Sequence, residues 1–128
     1  MQEKQLFEYA VIRVVPRVDR EEFLNIGVVL YCAKPRFLKV LYKLDAARLE
    51  AAFPGKLDMA GLEAYLCAFE RICMGGKQGG TIGMLPAAER FRWLTATRST
   101  ILQTSKVHPG FCGEPDVALV RLYEQLVL

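Results

Sequence analysis

The sequence predicts an α+β fold: an antiparallel sheet of about four strands with three to four helices packed mainly on one face. Three observations carry that reading. Runs rich in β-branched and aromatic residues follow one another over residues 7–44, with connections too short for crossover helices. Helical patterns with capping residues take over from Asp45. Hydrophobic residues make up 52% of the chain against 24% charged, which excludes disorder as the default state.

The first strand is read over Phe7–Val15, apolar on both faces and stopped by Pro16. Strands covered on both sides are usually central. Leu24–Ala33 is a second strand of the same kind. Ala33-Lys34-Pro35-Arg36 supplies turn chemistry, and Phe37–Leu44 makes a third strand with Lys39 and Lys43 on a wetter face. Asp45 caps a short helix that Pro54-Gly55 ends, and Asp58 caps a longer one. In the longer helix Leu62, Leu66, Phe69 and Cys73 form one apolar stripe. The glycine-rich stretch Gly75–Gly83 reads as a mobile loop, and Pro86 as the first residue of a helix through Leu94. Thr100–Val107 is a fourth strand, and His108-Pro109-Gly110 turns the chain. Glu114–Leu128 closes as a helix burying Val117, Val120, Leu122, Tyr123 and Leu126.

The chain's 128 residues suit one domain, 1–128, able to bury roughly two-thirds of its unfolded surface without disulfide or metal. Cys32, Cys67, Cys73 and Cys112 include no C-x-x-C pair, and the opening MQEKQLFEYA lacks a signal-peptide layout. Reduced thiols in a cytoplasmic protein are expected. The longest strongly apolar stretch, Ile26–Ala33, is far too short to span a membrane. A net charge of +3 does not by itself imply nucleic acid.

Arg13 stands out, because a guanidinium among apolar strand neighbours needs compensation. Glu22 is its candidate partner. Asn25 and Gly27 read as pointing the same way along the second strand, with Gly27 leaving room for a neighbour or ligand. These residues form a polar site on the sheet, or else a buried structural ion pair or an arginine whose stem snorkels at the sheet end. The stretch Arg90–Gln103 mixes Arg90, Arg92 and Arg98 with Phe91 and Trp93, a composition suited to phosphate and base contacts. On a helix, though, Phe91 and Leu94 share a core face, which leaves Arg90 and Arg92 as a solvated flank. Arg98-Ser99-Thr100 offers donors to an anion.

His108 is the sole histidine, and as a general base it needs Ser99, Ser105 or Cys112 within reach. No nucleophile motif surrounds those residues. His108 and Cys112 make half of a zinc-ligand spacing, but Cys67 and Cys73 complete it poorly, so no metal is expected. Gly75 and Gly80 have the spacing of a phosphate loop without its lysine, and no cofactor is implied. Glu21 and Glu22 are adjacent and face opposite ways, so they are not a catalytic carboxylate pair.

Three segments, YAVIRVVP (9–16), EFLNIGVVL (22–30) and RFRWLTATRSTILQ (90–103), together with His108-Pro109-Gly110, resemble the bacterial family catalogued as domain of unknown function 3037. The resemblance covers nearly the whole chain, although Gly75–Gly83 matches no motif. It places Arg13, Glu22, Asn25, Arg98, Gln103 and His108 in one signature that the fold is expected to gather at one end of the sheet. Genes of this family often lie beside those for HipA-type kinase-like proteins, which implies a protein partner.

The leading reading is a non-enzymatic accessory or regulatory domain that binds a partner protein through the polar end or the exposed strand of its sheet. A second is a small phosphoester-acting or nucleotide-binding enzyme, in which Arg13 and Arg98 clamp phosphate and His108 serves as acid or base. A third is a nucleic-acid-binding module using Arg90, Arg92 and Trp93. The sequence alone does not choose among them, nor does it give strand order or oligomeric state. A homodimer through the edge of the third strand is discouraged by Lys39 and Lys43.

Overall fold

A computed structural model describes residues 4–96 and 101–128, with the backbone alone at Val18. The three strands read from the sequence form as an antiparallel meander: β1 (Gln5–Val14), β2 (Leu24–Cys32) and β3 (Phe37–Tyr42). The other side of β1 is shared by two short strands. β4 (Leu102–Thr104) pairs with Ile12–Val14, and β5 (His108–Cys112) pairs with Gln5–Tyr9. The sheet therefore runs β3-β2-β1, with β4 and β5 end to end along one edge. At the break Ser105 stands in for the ladder: Val11 N–H donates to Ser105 Oγ at 2.8 Å, and Ser105 N–H donates to the Val11 carbonyl at 2.8 Å.

Two local expectations change here. His108-Pro109-Gly110 is not a turn but the start of β5, the fifth strand. Proline lacks an N–H, so it is tolerated only at a sheet edge, where β5 lies. Gly110 lies opposite Phe7, and a Cβ on it would sit 2.5 Å from Phe7 Cζ. A side chain there would collide with the ring.

The second change is a β-bulge. Ile12 pairs with Gly27 and Arg13 with Asn25, so Ile26 is an extra residue on β2. Beyond it the alternation of β2 inverts. Asn25 and Gly27 therefore face opposite sides of the sheet, not the same side. Gly27 admits β3 rather than a ligand, since a Cβ there would lie 2.8 Å from the Leu41 carbonyl oxygen and 2.9 Å from Tyr42 Cβ.

Both faces of the sheet are buried. On one, Ala10, Ile12, Val14, Ile26 and Val29 meet α1 (Ala46–Ala52), α2 (Met59–Met74) and α4 (Ala87–Leu94) through Leu49, Leu62, Leu66, Phe69, Phe91 and Leu94. Asp45 and Asp58 cap α1 and α2 by accepting from Arg48 and Gly61 N–H, each at 3.1 Å. Pro86 is the N-cap of α4 rather than its first residue. Gly75–Gly83 folds into a 3-10 turn (Lys77–Gly79) and the short α3 (Gly80–Gly83) instead of an open loop, closed by Gly76 N–H donating to the Gly83 carbonyl at 2.8 Å.

On the opposite face Phe7, Val28, Leu30, Cys32 and Cys112 meet α5 (Pro115–Leu126). Helix α5 buries Ala118 and Leu119, with Leu122, Tyr123 and Leu126 packed beside them. Val117 and Val120, expected inside, are 58% and 46% exposed. The whole is an α+β fold with most helices on one face and α5 alone on the other. Among the described residues, no helix is long and apolar enough to cross a membrane.

Candidate functional site

Strand pairing brings three of the signature residues into one row. Arg13 lies opposite Asn25 on β2 and opposite Gln103 on β4. Residues opposite one another across a ladder share a face, and this row lies on the α5 side. The placement follows from Asn25, whose Nδ2 donates to the Leu126 carbonyl at the end of α5 at 3.2 Å. Arg48 Nη1 donates to the next carbonyl, that of Val127, at 3.0 Å. Helix C-termini leave carbonyls without intrahelical partners, and here β2 and α1 supply two of the missing donors. Behind Asn25 a cavity of about 240 Å³ is bounded by Lys43, Asp45, Arg48 and Leu128.

Arg13 is half-buried and has no carboxylate partner among the described residues. Its guanidinium carbon lies 3.9 Å from the centroid of the Phe23 ring. The ring face carries negative potential and attracts the cation. Arg13 Nε is buried without a hydrogen-bond acceptor, and Asn25 Oδ1, its neighbour across the ladder, is buried without a donor. Burial lowers the Arg13 pKa, yet an arginine stays charged throughout the physiological range. The result is a desolvated cation supported from below by an aromatic ring. Phe23 was not singled out in the sequence. The only signal for it was an aromatic residue just ahead of the strand, and nothing local ties that residue to Arg13.

The other signature residues lie elsewhere. Glu22 is exposed and pairs with Arg20, not with Arg13. Glu21 has a left-handed backbone, φ 56°, so the chain reverses here and Glu22 stays in the hairpin turn beside Arg20. Arg17 and Asp19 make a second local pair at 2.7 Å. Arg98 lies outside the described residues, as does Ser99.

His108 is exposed, on the same side of the sheet as Arg13, with its ring 5.4 Å from that of Tyr9. Tyr9 is four residues from Arg13 along β1, which separates the two by about 13 Å. Ser105 Oγ accepts from Val11 N–H and donates to the Lys106 carbonyl, and Cys112 is buried with its thiol pushed up by that burial. No activated nucleophile therefore faces His108 among the described residues. Nor do three His, Cys, Asp or Glu side chains gather there as metal ligands.

The arginine-aromatic stretch also divides. Arg90 is not a solvated flank. Its Nη1 donates to the Ile72 and Cys73 carbonyls at 2.8 Å each, and its Nε donates to Leu85 at 2.9 Å, which caps the end of α2. Phe91 is buried and stacks on Tyr31 at 5.6 Å, while Arg92 and Trp93 face outward. These residues do not present a common basic surface.

No curated protein and no solved structure matches the chain significantly. A family model described as "Protein of unknown function (DUF3037)" matches residues 9–127, nearly the whole length. The segments that carry Arg13, Asn25 and Gln103 all lie within that span, and the chain belongs to the DUF3037 family.

Proposed function

We propose that this chain is a single-domain, cytoplasmic, non-enzymatic accessory or regulatory protein that binds a partner protein through the row centred on Arg13. The observation that carries the reading is the half-buried guanidinium stacked on Phe23, without an ion pair among the described residues. Arginine and aromatic side chains dominate the energetic centres of protein interfaces, and an arginine already desolvated and oriented loses little on binding. Phe23 is 45% exposed and Ile101, just beyond β4, is 37% exposed, so apolar surface lies on both sides of the cation. The resemblance noted in the sequence makes a bacterial HipA-type kinase-like protein the first partner to try.

The geometry gives the enzyme reading less support. It needs Arg13 and His108 to act on one substrate, and about 13 Å of strand lies between them. The nucleic-acid reading needs Arg90, whose guanidinium is occupied by helix carbonyls.

The test is affinity purification of the tagged chain from a bacterial host, alongside Arg13→Gln of unchanged Tm. The wild type should carry a stoichiometric protein that the variant loses at least tenfold. Equal recovery on both would remove the row from the interface. A phosphoester turned over by the isolated chain, and no longer turned over by Arg13→Ala, would put the enzyme reading in its place.

A further inference from the structure

The local charge around Arg13 narrows what the row can receive; the step rests on the reading of that row as a contact surface. Between residues 13 and 22 three arginines, Arg13, Arg17 and Arg20, face three acids, Asp19, Glu21 and Glu22. Asp19 and Glu22 are held by Arg17 and Arg20, so those four charges neutralise one another locally. Arg13 has no ion pair among the described residues. Those pairs leave Arg13 and Glu21 as the charges of this stretch without an ion pair among the described residues, so an incoming anion finds one cation and a dianionic phosphate would keep a charge uncompensated. A monoanion is matched charge for charge by the one guanidinium. Arg13 is only half-buried as a residue, although its Nε is fully buried. A planar fork of donors resting on a ring face suits the planar, two-oxygen geometry of a carboxylate.

Apolar neighbours set the rest of the ligand. Phe23 leads into β2 on one side of the row and Ile101 precedes β4 on the other, both with substantial exposed area. A free carboxylate such as acetate would leave that area unused. A peptide with an aliphatic or aromatic residue beside an acid covers it and excludes water from the ion pair, where the pair gains strength. We infer that Arg13 receives the carboxylate of an Asp or Glu in an acidic, apolar-flanked peptide segment of the partner.

Random dodecapeptide display on the immobilised full chain tests this, with the enriched peptides rescreened on Arg13→Gln and Phe23→Ser of unchanged Tm. The expected result is a shared Asp or Glu next to an apolar residue. Replacing that acid by its amide and replacing Arg13 by Gln should each weaken binding at least tenfold, and the two together should cost little more than either alone. Peptides that depend on Arg13 but bind equally well with the acid amidated would overturn the carboxylate and leave the row as a contact surface. Tighter binding when phosphoserine replaces the acid would name phosphate instead. Peptides that bind Arg13→Gln as well as wild type would remove the row itself. An absence of enrichment on the wild type would end the peptide inference.

Discussion

Two arginines divide the roles open to a guanidinium in this molecule. Arg90 gives its hydrogen bonds to three main-chain carbonyls, those of Ile72, Cys73 and Leu85, and so ties α4 to the end of α2. Arg13 gives none to any described residue and rests on a ring. Their removal should therefore be felt differently. Arg90→Ala should cost about 1.5–3 kcal/mol, the range for hydrogen bonds made by a charged group. Arg13→Gln should change stability by less than about 1 kcal/mol, since the lost contact with the Phe23 ring is offset by relief of a desolvated charge and no ion pair to a described residue is broken. Urea denaturation of the two variants compares them directly. A large loss for Arg13→Gln would mean that the residue holds the fold together, and would weaken its assignment to a surface. Gly110 makes a third case: Gly110→Ala forces Phe7 to move, because the new Cβ would lie 2.5 Å from Cζ. A loss of about 1–3 kcal/mol is expected from such overpacking, read as a lower urea midpoint at unchanged slope.

At the scale of elements, the sequence was most informative where one face differed plainly from the other. The stripe of α2 and the two aspartate caps were legible because apolar spacing and capping chemistry agreed. Helix α5 was not. Residues 117–120 are Val-Ala-Leu-Val, and Leu122, Tyr123, Leu126 and Val127 follow, so apolar residues surround most of the axis. Periodicity then selects no side, and the bulk of Val117 and Val120 outweighed that of Ala118. Packing against β2 decided the rotation. The bulge at Ile26 was hidden for a related reason: a run apolar on both faces reads the same in either register. The end of the edge was misread because proline and glycine signal turns, while an edge strand also accepts them. The rotation of α5 predicts a contrast between neighbours. Leu119→Ala should cost about 2–5 kcal/mol, as for other fully buried leucines. Val117→Ser, at an exposed position, should stay within about 0.5 kcal/mol. Comparable losses at both positions in chemical denaturation would show the helix turned the other way.

Across the whole molecule, one sheet serves two cores, and the candidate site lies at the end of the second. That placement explains how much of the site the sequence could give. Arg13 was visible as a charge in an apolar strand, but its row needed the pairing of β1 with both β2 and β4, whose residues lie 12 and 90 positions away. Asn25 was legible beside Arg13, but nothing local indicates that Gln103, rather than Glu22 and His108, completes the row. The same two-sided burial encloses thiols: Cys73 in the core under α2, and Cys32 and Cys112 in the core under α5. Burial pushes the Cys73 thiol from the usual 9.0 up to about 12, with Arg90 opposing and Glu70 reinforcing the shift. The folded state therefore holds that proton when the unfolded state has released it. Below pH 9 both states are protonated and the group adds no pH dependence. Between pH 9 and about 12 the unfolded chain binds fewer protons, so stability falls as pH rises. The slope for one such group is about 1.4 kcal/mol per pH unit. The lysines and tyrosines that also titrate there are common to wild type and Cys73→Ala, and their effects cancel in the difference between the two. The stability advantage of wild type over Cys73→Ala should accordingly shrink by about 1.4 kcal/mol per unit above pH 9 and stay constant from pH 6 to 8.5. Urea midpoints measured across that range check it. A difference that stays flat to pH 11 would mean that Cys73 ionises in the folded protein at its ordinary value, and that the core under α2 is open to water.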